Sequence, residues 1–228
     1  MKRLAVVLAL FAATSPIAAR ERVLVGGYAN PSAAIAAEIA FAQLARDKGQ
    51  WTAFKATATA DAVMFTPQLA YVQQYLKDKP NPAVTLTWQP HQVWSSCDGS
   101  IAVTRGAWQR GDATGYFTTV WQRQNDGKYK WVMEQGDALP MPLDPPEMIV
   151  AKVADCPSGP LPRPVKRDKI KQLPPLDTAH RAGQSDDGTL TYEVTVEPEG
   201  ARRFTVKLML GGQLAPVQMV EVAAGAAQ

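Results

Sequence analysis

A small set of acidic, basic and hydroxyl side chains in the central part of the chain could carry out proton transfer. The polar candidates are Asp61, His91, Arg105, Tyr116, Thr119, Glu134 and Asp137. In a dry cavity a carboxylate can act as a general base if a Tyr and a protonated acid stabilise the developing oxyanion. Glu134 could be that base and Tyr116 that donor, and Asp61 is a further carboxylate candidate.

His91 could act as a general base near neutral pH, because its imidazole titrates there. The alternative is a hydrogen-bonded or surface histidine on a strand. Glu134 also has an alternative role, since Lys130 and Arg123 could form a cross-strand charge pair with it. His91, Asp61 and Glu134 therefore remain candidates for a catalytic role, and the reaction stays unassigned.

Aromatic side chains form the second group, because they can line a pocket for an apolar molecule. They are Trp88, Trp94, Trp108, Phe117 and Trp121. We expect Trp108, Phe117 and Trp121 to contact a ligand together with Tyr116; the alternative is that the two tryptophans belong to the core. The sequence contains no nucleophile elbow, phosphate-binding loop or zinc-ligand spacing. We therefore expect neither a metal nor a cofactor.

The elements that would position these side chains are four consecutive strands. Runs of β-forming residues cover 84–96, 101–110, 116–124 and 128–135. The breakers between the runs are too short for crossover helices, so the pattern predicts an antiparallel meander. Asp126-Gly127 is a strong hairpin signal, because a type I′ turn requires positive φ.

A two-residue loop at Asp126-Gly127 would pair Asn125 with Lys128, Trp121 with Val132 and Thr119 with Glu134. It predicts one face with Phe117, Thr119, Trp121, Val132 and Glu134, and another with Tyr116, Thr118, Val120, Trp131 and Met133. On this register Glu134 and Tyr116 lie on opposite faces, which argues against their working together.

Helices are predicted before the meander. Asn30 and Pro31 suit the N-cap and first position of a helix that Gly49 ends, with stripes that contain Ile35 and Ile39 or Phe41 and Leu44. A second helix is predicted to end near residue 58, an extended segment covers 61–65, and a third helix is predicted from Leu69, Val72, Tyr75 and Leu76. The fold class is α+β, with helices packed on a curved antiparallel meander sheet.

Five short motifs give this layout a family resemblance. They are E-I-A-F at 38–41, G-Q-W-T-A-F at 49–54, D-A-V-M-F at 61–65, G-Y-F-T-T-V-W at 115–121 and G-K-Y-K-W-V at 127–132. In this order and spacing, residues 32–137 resemble the SnoaL-like, nuclear-transport-factor-2-like family, whose fold is a cystatin-like cone. The resemblance implies an apolar pocket on the concave side of a bent sheet and a homodimer through the convex side.

The same resemblance leaves the activity open. The family includes ketosteroid isomerases, polyketide cyclases and dehydratases, alongside many proteins without a known activity. Our first hypothesis is a protein that binds a small apolar ligand or a protein partner without turnover. The alternatives are an isomerase, cyclase or dehydratase acting on a hydrophobic small molecule, and a structural protein that assembles through its C-terminal tail.

The N-terminus indicates export. Residues 1–19 combine a basic start, an uncharged apolar run and small residues that suit cleavage near Ala19, which predicts a signal peptide rather than a membrane span. The alternative is a buried N-terminal helix. The net charge of +3 falls to +1 without Lys2 and Arg3, so it gives no argument for nucleic acid or acidic membranes. We expect a periplasmic or secreted bacterial protein.

The two cysteines, Cys97 and Cys156, favour a disulfide in such a compartment. It would contribute about 4 kcal/mol to stability in the chain-entropy model. The alternative is two unpaired thiols.

Composition divides the remainder of the chain. After the cone domain, residues 20–138, ten of the eighteen prolines fall between Pro140 and Pro175, which predicts a solvated Pro-rich linker over 139–176. Its basic residues could alternatively bind an anionic partner. Alternating apolar residues after it predict a small C-terminal β unit within 177–228, with strands near 190–197, 204–210 and 214–222.

Overall fold

The computed structural model describes residues 29–66 and 68–224. The predicted signal peptide lies outside the described residues. The described chain has three helices and eleven strands in the order α1 (Pro31–Lys48), α2 (Gln50–Thr57), β1 (Ala58–Phe65), β2 (Leu69–Tyr71), α3 (Val72–Tyr75), β3 (Thr87–Ser95), β4 (Ile101–Arg110), β5 (Ala113–Arg123), β6 (Tyr129–Leu139), β7 (Val150–Val153), β8 (His180–Gln184), β9 (Leu190–Val196), β10 (Arg202–Leu210) and β11 (Gln213–Val222). None of the helices in these ranges is long and apolar enough to span a membrane.

A seven-stranded sheet forms the centre of the fold, in the order β2-β1-β6-β5-β4-β3-β7. Strands β3 to β6 make the antiparallel meander that the sequence predicts. Two further strands lie parallel to their neighbours, β1 beside β6 and β7 beside β3. The sheet is therefore mixed at its flanks, and the fold class is α+β.

The β5–β6 hairpin differs from the predicted register near its loop. The backbone N–H of Gln124 donates to the carbonyl of Lys128, so the loop has three residues, 125–127, with Gly127 at φ 80°. A bulge then shifts the pairing, so that Trp121 faces Trp131 instead of Val132, while Thr119 still pairs with Glu134. The extra loop residue and the bulge offset each other, and only the stretch between them changes face.

This shift exchanges two predicted core residues. Trp131 packs on the helix side of the sheet with Phe117 and Trp121, whereas Val132 lies with Met133 on the opposite side. The predictions that grouped Val132 with Phe117 and Trp121, and Trp131 with Tyr116 and Met133, were wrong for this physical reason.

Helix α1 packs its small residues against the sheet. The side chain of Asn30 accepts a hydrogen bond from the N–H of Ala33, and Gly49, at φ 94°, ends the helix. Its buried residues are Ala34, Glu38, Phe41, Ala42 and Ala45. Ile39, on a predicted apolar stripe, is 50% exposed, because it lies outside the face of α1 that packs against the sheet. The predicted third helix is divided into β2 and α3.

Aromatic rings fill the space between α1 and the sheet. Phe41 lies 4.8 Å from Trp88, 4.9 Å from Phe54, 6.1 Å from Trp121 and 6.2 Å from Trp131, measured between ring centroids. Most of these contacts are edge-to-face, a favourable arrangement for aromatic quadrupoles. The space between α1 and the sheet, which was expected to be hollow, is thus filled, and a cavity lies beside α2.

A second sheet, ordered β11-β10-β9-β8, covers the other face of the large sheet. Val120 and Met133 from the large sheet share one core with Val194, Phe204 and Val206 from the small one. Three of its strands match the predicted β unit, and β8 was missed. A homodimer through this face of the large sheet would have to displace the chain's own small sheet.

The predicted linker is more ordered than its proline content suggests. Residues 150–153 contain no proline and form β7, which contradicts the expectation that the whole linker stays outside any sheet. Leu161, Leu173 and Leu176 pack against the core between the sheets. The hydroxyl of Tyr71 donates to the carbonyl of Pro174 at 3.2 Å. The segment therefore runs along the protein surface and contributes to the fold.

The sheets are joined at one end by two similar turns. The β3–β4 turn reads S-C-D-G-S-I at 96–101, and the β8–β9 turn reads S-D-D-G-T-L at 185–190. In each turn the serine hydroxyl donates to the aspartate carboxylate, Ser96 to Asp98 and Ser185 to Asp187. Cys97 also forms the predicted disulfide with Cys156, with 5.2 Å between the Cα atoms.

The two turns bind each other directly. The N–H of Cys97 donates to Thr189 Oγ1 at 2.9 Å, and the N–H of Asp186 donates to Ser100 Oγ at 2.8 Å. These bonds give hydrogen-bond partners to polar groups that are removed from water. Without partners, such groups would lower the stability of the folded protein. The turns and the disulfide hold one end of the sheet sandwich closed.

Candidate functional site

A cavity of about 520 Å³ lies between α2 and the sheet. Its lining combines aromatic and aliphatic side chains with two acidic groups, one basic group and two amides; the residues are Gln50, Trp51, Phe54, Met64, Phe65, Thr66, Tyr75, Leu86, Trp108, Arg110, Glu134, Gln135, Gly136 and Asp137. Concave, mainly apolar lining with a few polar groups is typical of small-molecule sites.

Helix α2 and strand β4 form the aromatic walls. Trp51 and Phe54 on α2 meet edge to face, 5.4 Å apart between centroids. The ring of Trp108 on β4 occupies the space beside Gly115 on β5, which has no side chain; a Cβ at that position would stand 2.3 Å from Trp108 Cε2. The glycine therefore fixes the position of one cavity wall.

Glu134 is one of the two acidic residues that line the cavity. It lies on β6, opposite Met64 of the parallel strand β1, and its side chain is half-buried. Burial and, to a smaller extent, the negative charge of Glu38 raise the pKa of Glu134 to about 8, although Arg202 acts in the opposite direction. At pH 7 the group is therefore mainly a neutral carboxylic acid, which can donate a hydrogen bond.

Glu38 lies behind Glu134 in the core and was not among the candidates from the sequence. Its carboxylate accepts hydrogen bonds from Trp88 Nε1 at 2.6 Å, Thr104 Oγ1 at 2.5 Å and Trp121 Nε1 at 3.0 Å. Burial raises its pKa, and these hydrogen bonds act in the opposite direction. Its spacing from Ala34 and Ala42 on α1 was the available signal, because it places Glu38 on the buried face.

The predicted ligand-binding residues are separated by the structure. Trp108 lines the cavity, whereas Phe117 and Trp121 are buried in the helix-side core. Tyr116 faces the small sheet, where burial raises its pKa to about 12. Tyr116 and Glu134 thus lie on opposite faces and do not share a site.

The weak catalytic candidates also lie apart. Asp61 forms a 3.0 Å ion pair with Arg181 of the small sheet and accepts a bond from Thr59. His91 is buried on β3, and burial followed by the charge of Arg105 lowers its pKa. Of these candidates only Glu134 lines the cavity beside α2.

The other polar and aromatic candidates have structural partners. Asp137, at the edge of the cavity, forms a 3.2 Å ion pair with Arg202. Thr119 is buried opposite Glu134. Trp88 binds Glu38, and Trp94 lies in the core between the sheets.

No protein-family model matches this chain, and no curated protein matches it. A solved structure from Novosphingobium aromaticivorans, provisionally described as an aromatic ring hydroxylase, is similar with a TM-score of 0.37 and 18% identity over 50% of this chain and 91% of that chain. A second one, from Kribbella flavida and provisionally described as a ketosteroid isomerase, gives a TM-score of 0.34 and 14% identity over 52% of this chain and 86% of that chain. These similarities concern the fold alone.

Proposed function

We propose that this is an exported protein that binds a small, largely apolar molecule in the cavity beside α2 and releases it unchanged. The observation that supports this most is the cavity of about 520 Å³, which has aromatic walls and contains Glu134, an acid with a pKa of about 8. Such a site suits a ligand with an apolar body and one hydrogen-bonding group.

Each part of the cavity has a role in this proposal. Trp51, Phe54 and Trp108 pack against the body of the ligand, which transfers apolar surface out of water. Protonated Glu134 donates a hydrogen bond to a carbonyl or hydroxyl oxygen of the ligand. Arg110, exposed at the rim, favours a ligand that is neutral or negatively charged over a cation.

Binding without turnover is preferred because the proton-transfer candidates are dispersed. A base and its oxyanion donors must face the same reacting atom. Asp61 forms an ion pair with Arg181 instead, and neither His91 nor Tyr116 belongs to the lining of the cavity that contains Glu134.

A second candidate function is proton transfer by Glu134, as in an isomerase, cyclase or dehydratase acting on a hydrophobic molecule. The observation that favours it is the pKa of about 8, which would allow Glu134 to gain and lose a proton near neutral pH. A protein-partner role in the same cavity stays a further alternative. Assembly through the tail is less favoured, since Val194, Phe204 and Val206 already pack inside the chain.

Export is part of the proposal. The leader at 1–19 motivates it, and the disulfide between Cys97 and Cys156 supports it, because such bonds persist in oxidising compartments. Protein isolated from its native host with Met1 intact would contradict export.

The binding proposal is tested with N-phenyl-1-naphthylamine, an uncharged probe that fluoresces in apolar surroundings. We expect the wild-type protein to bind the probe, and Trp51→Ala and Trp108→Ala each to weaken binding about tenfold through lost apolar contact. Val165→Ala, at a 55% exposed position outside the lining of either cavity, is the control and should bind as the wild type does. Absent binding, or equal losses in all three variants, would contradict the proposal. If the probe binds as expected, native mass spectrometry of the exported protein would identify a natural ligand that stays bound to it.

A further inference from the structure

A separate cleft of about 530 Å³ opens between the two sheets. The large sheet contributes Gln92, Trp94, Arg105 and Lys152 to its lining, and the small sheet contributes Val217 and Gln218. It lies on the opposite face of the large sheet from the cavity beside α2. None of the described residues that line it is acidic, so its two charged side chains give it a positive potential.

Arg105 is the main cation of this cleft. Its side chain is part-buried, and its Nε has no hydrogen-bond partner among the described residues. Within the ranges 29–66 and 68–224, the carboxylates lie beyond ion-pair distance of Arg105, and its guanidinium stands 5.6 Å from the ring centroid of Tyr116. A part-buried guanidinium without a counter-ion loses hydration that an anionic ligand would replace.

Further polar atoms without partners lie at the base of the cleft and, outside its lining, beside Arg105. Gln218 is only 5% exposed and donates from Nε2 to Thr118 Oγ1 at 2.8 Å, while its Oε1 has no partner in the described part of the chain. His91, beside Arg105, is 8% exposed, and its Nε2 also has none. Buried polar atoms in this state usually indicate water or a bound group.

The rim of the cleft is aliphatic. Val150 is 55% exposed and Met219 is 59% exposed, and Leu210 and Val217 also belong to the lining. A ligand that fits both regions has a negative head beside Arg105 and an apolar chain at the rim. A planar carboxylate matches a guanidinium better than a spherical ion does, because it can accept two parallel N–H bonds.

We propose that this cleft is a second ligand site, which binds a small aliphatic carboxylate through Arg105. Lys152, exposed on β7, adds long-range attraction at the entrance, and the amide of Gln92 is a further donor. Trp94 and Val217 contact the aliphatic chain. The site is independent of the cavity beside α2 and of the function proposed for it.

The test is titration of the disulfide-intact, full-length protein with hexanoate, with 1-hexanol as the uncharged analogue. We expect hexanoate to bind and to shift the indole resonance of Trp94, while that of Trp51 stays in place. Arg105→Gln and the change to 1-hexanol should each weaken binding about tenfold, the loss of one charge-assisted pair. Arg46→Gln, an exposed arginine on α1 that lines neither cavity, should change the affinity less than about twofold.

Several outcomes would overturn the proposal: no binding of hexanoate, equal binding of 1-hexanol, or an equal loss in Arg105→Gln and Arg46→Gln. Because Arg105 is part-buried, its replacement could disturb folding. Lys152→Gln then decides the matter, since β7 is exposed at that position. It should fold normally and weaken hexanoate binding about threefold through lost attraction at the rim; an unchanged affinity would refute the proposal.

Discussion

The backbone N–H of Asp98 donates a hydrogen bond to Oδ2 of Asp187 at 2.8 Å, and this bond links the turns of the two sheets. Oδ1 of the same carboxylate accepts from the Ser185 hydroxyl at 2.6 Å, the Thr189 N–H at 3.0 Å and the Thr189 hydroxyl at 2.9 Å. Asp187 therefore organises its own turn and fastens it to the neighbouring one.

Replacing Asp187 by Ala should lower the free energy of unfolding by about 3 kcal/mol, because several part-buried donors lose a charged acceptor. Urea denaturation followed by tryptophan fluorescence measures the change. Asp126→Ala is the control, since Asp126 accepts a hydrogen bond from Lys128 two residues away in the same exposed loop; it should lower stability by less than about 1 kcal/mol. Equal effects of the two substitutions would show that the contact between the turns contributes little.

Reducing the disulfide between Cys97 and Cys156 should lower the free energy of unfolding by about 4 kcal/mol, because the unfolded chain regains the freedom of a long loop. The comparison is urea denaturation with and without dithiothreitol. The double variant with serine at both positions should be as unstable as the reduced protein and insensitive to the reductant. A wild-type transition that dithiothreitol leaves in place would argue against a stabilising bond.

Stability should fall as the pH rises from about 5 to 8, in part because of Glu134. Its pKa in the folded protein is about 8, above the ordinary value of 4.5, so the folded state holds a proton that the unfolded state releases in this range. The contribution is complete below pH 4.5 and is lost by the time the pH exceeds the folded pKa.

Thermal unfolding at intervals of pH measures this effect. Glu134→Gln should flatten the decline in Tm, whereas Glu147→Gln, at an exposed position, should leave it as in the wild type. A decline that is equally steep in both variants would assign the pH dependence to other groups.

Glu38 should control the proton of Glu134. Glu38→Gln removes a buried negative charge that raises the pKa of Glu134, so that pKa should fall. A ¹³C NMR titration of the Glu134 side-chain carboxyl measures it directly. An unchanged titration would mean that burial alone sets the value.

Glu38→Ala tests the structural role of the same residue. It leaves the indole N–H groups of Trp88 and Trp121 without their shared acceptor, so stability should fall by about 3–5 kcal/mol. Glu38→Gln, which keeps an acceptor of similar volume, should be less destabilising. If the alanine variant unfolds at the same urea concentration as the wild type, the buried hydrogen bonds contribute little to stability.

Local patterns predicted the parts of the fold that depend on neighbouring residues. Strand alternation and turn residues located β3 to β6 and β9 to β11, and the Asn30 cap and Gly49 located α1. The β5–β6 bulge was missed because an extra loop residue restores the register beyond it. The short strands β7 and β8 were missed because four or five residues carry too little periodicity.

The site was predicted only in part, because it depends on packing between distant elements. Trp108 and Glu134 line the cavity, but Trp121 was expected to contact a ligand and instead packs with Phe41 and Trp131 in the core. No local sequence pattern distinguishes a tryptophan that lines a cavity from one that is buried in the hydrophobic core. Strand alternation correctly predicted that Tyr116 and Glu134 lie on opposite faces. The burial of Glu38 could not be predicted in this way, because it depends on contacts between α1 and the sheet.

The small sheet that covers the large one is made from residues that leave the ribosome after those of the large sheet. Residues such as Val120 and Met133 are synthesised well before Val194, Phe204 and Val206, which shield them. In a nascent or truncated chain that ends before β9, this apolar face of the large sheet is exposed to water. Exposed apolar surfaces of this kind bind chaperones or aggregate. The large sheet is thus covered only after the strands β9 and β10 have been synthesised.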